Sequence, residues 1–324
     1  MKDQYGRNID YIRVSVTDRC NLRCQYCMPA EGIEMASHDS ILRYDEIIRI
    51  CKILAELGVK KIKITGGEPL VRKDIIELIA DIKKITGIEQ VTITTNAINL
   101  KKQMKHLVEV GIDGINISLD TLNRSLFKEI TRRDELPRVL EGIEEALKYD
   151  QVPIKINCVP LGRKEQNIED IAAFAKDHPI HVRFIEMMPI GMGKDYHFLS
   201  EEEILKQLSK TYGTFTPYEG TLGNGPSHYY QVEDFQGKIG FISAMSHKFC
   251  HNCNRVRLTS GGFLKTCLQF ETGSDLKQLL RGGASDEEIK EAIINTIHNK
   301  PKGHEFLSGK IERENNLSMY QIGG

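Results

Sequence analysis

Short runs rich in β-branched residues recur six times before residue 190 and predict strands. They are YIRVSVT (11–17), KIKITGG (61–67), QVTITTN (90–96), GINISLD (114–120), IKINCV (154–159) and HVRFIEM (181–187). Several segments between them carry apolar residues at helical spacing and close on a glycine, as in YDEIIRICKILAELG, RKDIIELIADIKKITG and LKKQMKHLVEVG. Strand alternating with helix in this way predicts βαβ units and a parallel sheet.

The carboxyl ends of the predicted strands favour a barrel over an open doubly wound sheet. The fingerprint G-x-G-x-x-G, which follows the first strand of a dinucleotide-binding sheet, is missing here. Polar and glycine residues instead end most of the strands: Thr17-Asp18, Gly66-Gly67-Glu68, Thr95-Asn96 and Ser118-Leu119-Asp120. Because α/β barrels place their sites at these ends, we predict an α/β protein with a partial (β/α)6 TIM-like barrel.

The strand–helix alternation weakens after about residue 190. GTLGNGPSHYY (220–230) is typical of a glycine-rich linker or loop, GKIGFISA and NRVRLTS are typical of strands, and 275–299 is typical of helices. We therefore predict a barrel over residues 1–220 and a smaller C-terminal α+β domain over residues 221–324.

Composition and charge exclude several classes of protein. Hydrophobic residues make up 40% of the 324 residues, charged residues 27%, and the formal net charge is −1, which is typical of a soluble globular protein. This balance argues against a general nucleic-acid or membrane-surface binder. No segment has the apolar length of a signal peptide or a spanning helix, and we predict a cytoplasmic protein.

The eight cysteines are distributed as two triplets and two single residues. In a reducing compartment this pattern indicates metal binding rather than disulfides. Cys51 and Cys158 stand alone in apolar segments, as small buried residues do. The triplets are Cys20, Cys24 and Cys27, and Cys250, Cys253 and Cys267. Thiolates suit zinc or iron–sulfur, but each triplet is one ligand short of the usual four, and the C-x3-C step does not suit a zinc knuckle.

The first triplet has the spacing C-x3-C-x2-C with Tyr26 just before the last cysteine, and GGEP (66–69) ends the second predicted strand. This combination resembles the radical S-adenosylmethionine enzymes. The resemblance implies a [4Fe–4S] cluster held by three cysteines, whose fourth iron binds the amino and carboxylate groups of S-adenosylmethionine. Reduction of that cluster then yields a 5′-deoxyadenosyl radical.

The second triplet, spaced C-x2-C-x13-C, is followed by NRVRLT and by the terminal MYQIGG. Together with RVSVTDRCNLRCQYCMP, ITGGEPLVRKD, TTN, NISLDTL and RFIEMMP, these segments resemble, over nearly the whole chain, the radical enzymes that cyclise GTP in the first step of molybdenum-cofactor biosynthesis. The resemblance implies a second [4Fe–4S] cluster whose open iron anchors guanine. It also implies a Gly-Gly tail, Gly323 and Gly324, that reaches into the active site.

Basic residues interrupt the predicted strands. Arg255 and Arg257 are two apart and project from one face, while Arg13, Lys63 and Lys155 lie within apolar strands. A charge inside a barrel is costly unless it is paired, so each of these either binds an anion, pairs with a local carboxylate or points to solvent. Guanidinium groups suit the triphosphate of GTP.

The resemblance assigns these residues, and others, to ligands. It implies that GTP is bound by Arg13, Lys63, Thr94, Lys155, Arg255, Val256 and Arg257, and that the catalytic residues are Arg13, Arg255 and Arg257. It implies that S-adenosylmethionine is bound by Tyr26, Gly67, Ser118 and Met188. Position 63 is often arginine in the family, and lysine keeps the charge without the bidentate fork. Glu186 and His251 have no assigned role.

Other functions fit part of the pattern. One is a different two-cluster radical enzyme that modifies a peptide, although the Arg-x-Arg pair would then have no clear purpose. Others are a non-catalytic iron–sulfur electron carrier, which would be expected to saturate its clusters with four cysteines each, and a zinc-stapled binding module. The partners that the resemblance implies are GTP, a downstream cyclic pyranopterin monophosphate synthase, an unidentified electron donor and, in a homodimer, a second copy of the chain.

Overall fold

The computed structural model describes residues 1–33, 38–306 and 317–323. Its strands are β1 (Tyr11–Ser15), β2 (Lys61–Thr65), β3 (Gln90–Thr95), β4 (Ile115–Ser118), β5 (Ile154–Cys158), β6 (His181–Ile185), β7 (Phe215–Tyr218), β8 (His228–Val232), β9 (Ile239–Ile242), β10 (Arg255–Leu258), β11 (Phe263–Lys265) and β12 (Gly273–Asp275). All six strands predicted before residue 190 are present, and each observed strand lies within its predicted run.

The helices lie between the strands, as the apolar spacing predicts. They are α1 (Tyr44–Glu56), α2 (Ile75–Lys83), α3 (Leu100–Glu109), α4 (Arg124–Thr131), α5 (Leu136–Ala146), α6 (Ile168–Asp177), α7 (Glu201–Tyr212), α8 (Leu276–Arg281), α9 (Asp286–His298) and α10 (Met319–Ile322). Capping boxes fix the starts of α7 and α9: Ser200 pairs with Glu203, and Ser285 with Glu288.

One 12-stranded sheet contains all of these strands, in the order β12-β11-β10-β1-β2-β3-β4-β5-β6-β9-β8-β7. The strands from β10 through β1–β6 to β9 run parallel, whereas β7, β8, β11 and β12 pair antiparallel. The predicted partial barrel with a smaller C-terminal region is confirmed. The strands after residue 220 extend both edges of the barrel sheet, and a domain division at that residue stays a prediction.

The two faces of the sheet differ because side chains alternate along each strand. In β1, Ile12 and Val14 are fully buried in the same apolar cluster as Ile47 and Leu54 of α1. Each such side chain contributes about 1.5–3 kcal/mol when removed from water. Arg13, between them, faces the opposite side, where it lines a cavity. The apolar core therefore lies between sheet and helices, and the inner face is left for polar side chains.

Within residues 1–33, 38–306 and 317–323, we find no helix with the length and apolar content needed to cross a membrane.

Candidate active site

The inner face of the sheet encloses a cavity of about 620 Å³. Strand register brings its polar residues into rows. Arg13 lies opposite Lys63 on one side and Arg257 on the other, and Asn116 lies opposite Lys155. The cavity is lined by all six predicted thiols and by the predicted ligand residues Arg13, Tyr26, Lys63, Gly67, Thr94, Ser118, Lys155, Met188, Arg255 and Arg257.

Val256 is the one predicted ligand residue that is not part of the cavity lining. It lies between Arg255 and Arg257 on β10, so the alternation along the strand turns its side chain to the other face of the sheet. There it is 1% exposed and belongs to the apolar core. Any contact of Val256 with the cavity would therefore be made by its backbone.

The first cysteine triplet lies on the loop that follows β1. Burial, followed by the nearby carboxyl of Glu68, raises the pKa of Cys20 to about 11. Burial raises the pKa of Cys24 well above its usual value, and its neighbours Cys27 and Asp120 add to the shift. The three thiols are thus close together, shielded from water and near carboxyl groups.

Gly66 and Gly67 hold this loop close to the end of β2. The Gly67 N–H donates to the Thr17 carbonyl at 2.7 Å, and a Cβ on Gly67 would lie 2.4 Å from the Arg19 carbonyl oxygen. Only glycine fits such an approach. The tight packing is one reason for glycine here, and it also brings the Gly67 backbone to the edge of the cavity beside the thiols.

Asp120, at the end of the fourth predicted strand run, fixes Tyr26 inside the cysteine loop. The Tyr26 hydroxyl donates to Asp120 Oδ2 at 2.6 Å, and the Val159 N–H donates to Oδ1 at 2.9 Å. Burial raises the pKa of Asp120 to about 6, against the hydrogen bonds that lower it. No sequence motif indicates this bond, because the two residues are far apart along the chain.

The second triplet is assembled from separate elements. Cys250 begins a short 3-10 turn before β10, Cys253 directly follows that turn, and Cys267 follows β11. Arg7 supports the turn by donating to the Cys250 carbonyl at 2.8 Å and to the Lys302 carbonyl at 2.9 Å. The amino-terminal segment and the segment after α9 therefore both position this triplet.

Positive charge surrounds the second triplet. Lys300 is 3% exposed, and its ammonium donates to the carbonyls of Arg255, at 3.0 Å, and of Thr266. Burial would raise the pKa of Cys253, but Lys300 and Arg255 together lower it to about 7. Lys300 could not be identified from the sequence, since nothing near it resembles a site motif.

The two triplets do not form sites for a single metal ion. In the part of the chain that the structure describes, no three His, Cys, Asp or Glu side chains are arranged to hold one metal ion. A cluster is wider, because each thiolate binds a different iron. The thiols of each triplet are nevertheless near enough to shift one another's pKa.

The cationic side chains are buried close to one another. Burial lowers the pKa of Arg13 to about 10, and Arg255 and Arg183 lower it further against an opposing effect of Tyr11. Burial, with Arg183 next, lowers the pKa of Lys155 to about 8. The pKa of Lys63 also falls far below its usual value because of burial and these same cations. Such a group is poised to accept a polyanion, which would relieve the repulsion.

Arg183 on β6 is a cation of this group that the sequence analysis missed. It is 6% exposed and donates to Oδ1 of Asn157 at 2.9 Å and to Oδ1 of Asn116. Asn157 lies opposite Arg183 in the strand register. The alternation that pointed to Lys155 applies equally to these polar residues inside apolar strands and could have identified them.

The tail returns to the cavity, as the family resemblance implied. Arg257 Nη1 donates to the Gly323 carbonyl at 2.6 Å. Gly323 has a φ of +87°, and a Cβ on it would lie 2.6 Å from Thr65 Oγ1, so a larger residue would not fit. The Tyr320 N–H contacts the Cys27 thiol. Gly324 lies outside the described residues.

Glu186 and His251 have different surroundings. Glu186 is 2% exposed and accepts hydrogen bonds from the N–H groups of Met245, at 2.7 Å, and Glu201, at 3.1 Å. It thus ties the end of β6 to the start of α7 and to the segment after β9. His251 is exposed in the 3-10 turn, as expected for a loop residue.

Comparison with known families divides the chain into two matched regions. The model of the Radical SAM superfamily matches residues 14–177, which include the first triplet and strands β2 to β5. The model of Molybdenum Cofactor Synthesis C matches residues 180–306, which include the second triplet.

Comparison with individual proteins identifies full-length relatives. Proteins named GTP 3′,8-cyclase from Clostridium perfringens (strain 13 / Type A) and Syntrophomonas wolfei subsp. wolfei are 46% and 45% identical, each with 100% of both chains covered. The crystal structure of Streptococcus suis SuiB bound to S-adenosylmethionine has a TM-score of 0.60 at 17% identity, covering 84% of this chain and 64% of that chain. The latter likeness supports the fold alone, whereas the former relatives establish that this chain belongs to the GTP 3′,8-cyclase family of the radical SAM superfamily.

Proposed function

We propose that this chain converts GTP into (8S)-3′,8-cyclo-7,8-dihydroguanosine 5′-triphosphate, the first step of molybdenum-cofactor biosynthesis. The observation that carries the proposal is one cavity lined by two cysteine triplets and by buried cations. Membership of the radical SAM superfamily brings the use of S-adenosylmethionine and an iron–sulfur cluster. The reaction would take place in the cytoplasm, with the product passing to a cyclic pyranopterin monophosphate synthase.

The first triplet would hold the cluster that serves S-adenosylmethionine. When bound, that cluster and its cofactor supply one-electron chemistry that removes a hydrogen atom from the ribose of the substrate. Tyr26, the Gly67 backbone, Ser118 and Met188 line the same cavity as these thiols. Asp120 keeps the Tyr26 ring in place through its hydroxyl. These residues would orient the cofactor and exclude water from it.

The second triplet would hold a second [4Fe–4S] cluster beside the substrate base. Its three thiols lie near one another, with Lys300 offsetting part of their negative charge. The cluster would leave one iron for a guanine atom, as the first leaves one for S-adenosylmethionine. Two anchored ligands in a single cavity convert a bimolecular encounter into a positioned one.

The buried cationic side chains that line the cavity would bind the triphosphate. Arg13 and Arg257 are paired in register on neighbouring strands, and Lys63 follows on the next strand. Arg255 lies two residues before Arg257 on β10 and faces the same side of the sheet. Lys155 and Thr94 line the same cavity. The guanidinium groups of Arg13, Arg255 and Arg257 would hold the ribose toward the first triplet, which is their part in catalysis.

The test is anaerobic reconstitution followed by turnover. Two clusters predict about eight irons per chain. With reductant and S-adenosylmethionine, GTP should give 5′-deoxyadenosine and a cyclised nucleotide in equal amounts, whereas ATP, CTP and UTP should give background levels. If GTP gives no 5′-deoxyadenosine above background with both clusters assembled, the proposal fails. An iron content near half of that value would refute the second cluster alone.

A further inference from the structure

Two polar side chains beside the second triplet have buried atoms without a hydrogen-bond partner among the described residues, namely Thr266 Oγ1 and Gln269 Nε2. A third, His304, lies beside them, and its ring contacts the Ala244 carbonyl. All three residues line the cavity. Thr266 and Gln269 are 2% and 3% exposed. Because nearly all buried polar groups in native proteins are paired, such a cluster indicates that a ligand supplies the partners.

These three polar side chains adjoin the cysteine triplet. Thr266 immediately precedes Cys267, and Gln269 follows two residues after it. On the other side, Gly303 packs against Cys250, where a Cβ on the glycine would lie 3.4 Å from the cysteine Sγ. The His304 N–H also contacts the Cys250 thiol. A ligand group reaching the second triplet would therefore pass these three side chains.

Gln269 is the member of the cluster whose polarity is fixed. Its Oε1 accepts a hydrogen bond from the Glu305 N–H at 2.6 Å, which orients the amide and leaves Nε2 as a donor only. Histidine and threonine can each donate or accept, so they adapt to either kind of partner. Only Gln269 can reject a ligand by the type of group that the ligand presents.

We propose that Gln269, flanked by Thr266 and His304, forms the subsite for the purine base and selects guanine through its O6 atom. This inference rests on the proposed binding of GTP. Guanine carries an acceptor at O6, which pairs with the Gln269 Nε2 donor. Adenine carries an amino donor at the equivalent position, which would leave both donors buried and unpaired. A site built on a hydrogen bond rejects the wrong partner more strongly than an apolar site does.

Binding to the reconstituted holoenzyme tests the subsite without relying on turnover. The probes are GTP and 2-aminopurine riboside 5′-triphosphate, which lacks O6 but keeps the 2-amino group. The unaltered protein should bind GTP at least about tenfold more tightly than the analogue. Equal affinity would overturn the proposal. Failure to bind either nucleotide would instead count against the proposed function, so the two failures are distinguishable.

The variant Gln269→Glu sharpens the test. A carboxylate still accepts from the Glu305 N–H but replaces the donor by an acceptor. We expect GTP affinity to fall at least about tenfold, the affinity for the analogue to change less than about threefold, and ATP to gain relative to GTP. Iron content reports whether the second site is intact. The matched control is Gln278→Glu, the same change at an exposed position of α8 outside the cavity lining, which should alter none of these values. Equal weakening of GTP and the analogue would overturn the proposal.

Discussion

The two cysteine triplets line one cavity but are built in different ways. The first lies on a single loop after β1, next to Glu68 and Asp120, whose carboxyl groups help to raise the thiol pKa values. The second combines a turn and the end of a hairpin, next to Lys300 and Arg255. The first triplet, which lies on one continuous loop, is therefore next to negatively charged groups. The second triplet, which is assembled from separate segments, is next to positively charged groups.

This difference in fixed charge suits two different tasks. A cluster gains negative charge when it is reduced, so neighbouring carboxylates make reduction harder and neighbouring cations make it easier. The first site is thus suited to a cluster with a low reduction potential, which is a strong reductant once it is reduced. The second site is suited to a cluster that stays in one state and binds a base, close to the cations that would hold the triphosphate.

The largest effect that can separate the triplets is loss of a ligand. We expect Cys24→Ser and Cys253→Ser each to lose about half of the iron. Cys24→Ser should abolish cleavage of S-adenosylmethionine, because the first cluster is lost. Cys253→Ser should keep a low rate of cleavage but give no cyclised nucleotide. Iron analysis and product chromatography measure both.

The control for these variants is Cys51→Ala. Cys51 is buried in the core away from both triplets, so this variant should keep its full iron content and both products, with some loss of stability. Cyclised product from Cys253→Ser would contradict the assignment of a second cluster.

The next effect concerns the cations on the side of the second triplet. Arg257 is buried beside Arg13 and Arg255, which lower its pKa further after burial has lowered it, and it donates to the Gly323 carbonyl. Arg257→Ala should weaken GTP binding about hundredfold, because charge-assisted hydrogen bonds to the triphosphate are lost. Both clusters should still assemble, as measured by iron content.

Arg49→Ala is the matched control for Arg257→Ala. Arg49 forms an exposed ion pair with Asp286 at 2.6 Å, remote from the cavity lining, and exposed pairs contribute little. GTP affinity should be unchanged in this variant. If Arg257→Ala loses iron together with GTP affinity, the arginine is structural and the assignment to the triphosphate is wrong.

Lys155 tests whether a positive charge away from the second triplet also contributes to GTP binding. Burial, with Arg183 next, lowers its pKa to about 8, so it loses its proton as the pH rises through that value. A bound triphosphate favours the charged form, and GTP binding should therefore take up a proton near pH 8. Affinity should fall up to about tenfold between pH 7.5 and pH 9.

Titration calorimetry in buffers of different ionisation heat measures both affinity and proton uptake. Lys155→Arg is the control, because arginine stays charged across this range and should lose this part of the pH dependence. The same slope in both proteins would show that another group titrates.

The sequence allowed the barrel to be predicted because its signals are local. The alternation in β1 to β6 and the glycines that end α1 and α3 each lie within one element. The pairing of β10 with β1 and of β9 with β6 depends on contacts between distant segments, so periodicity could not place these strands at opposite edges. The row formed by Arg13 and Arg257 follows from that pairing alone.

The site residues were likewise predictable only where the signal was local. Motif spacing identified the six thiols, and charges inside apolar strands identified Arg13, Lys63 and Lys155, all of which line the cavity. Lys300, Gln269 and His304 carry no such signal, because each lies in a loop and its surroundings form only on folding. Such a buried polar side chain is recognised by the hydrogen-bond partners that it has or lacks in the folded protein. The sequence alone does not show these partners.

The smallest effect tests the fixed charges directly. Lys300→Met keeps the aliphatic stem but removes the ammonium, and should lower the reduction potential of the second cluster on the order of tens of millivolts. Asp120→Asn removes a carboxyl beside the first triplet, while Oδ1 can still accept from the Val159 N–H and the amide can donate to the Tyr26 hydroxyl oxygen, and should raise the potential of the first cluster by a similar amount. A redox titration followed by electron paramagnetic resonance measures both. Each variant serves as the control for the other, because each should leave the remote cluster unchanged. Shifts of the same sign in the two variants would mean that burial, rather than neighbouring charge, distinguishes the two sites.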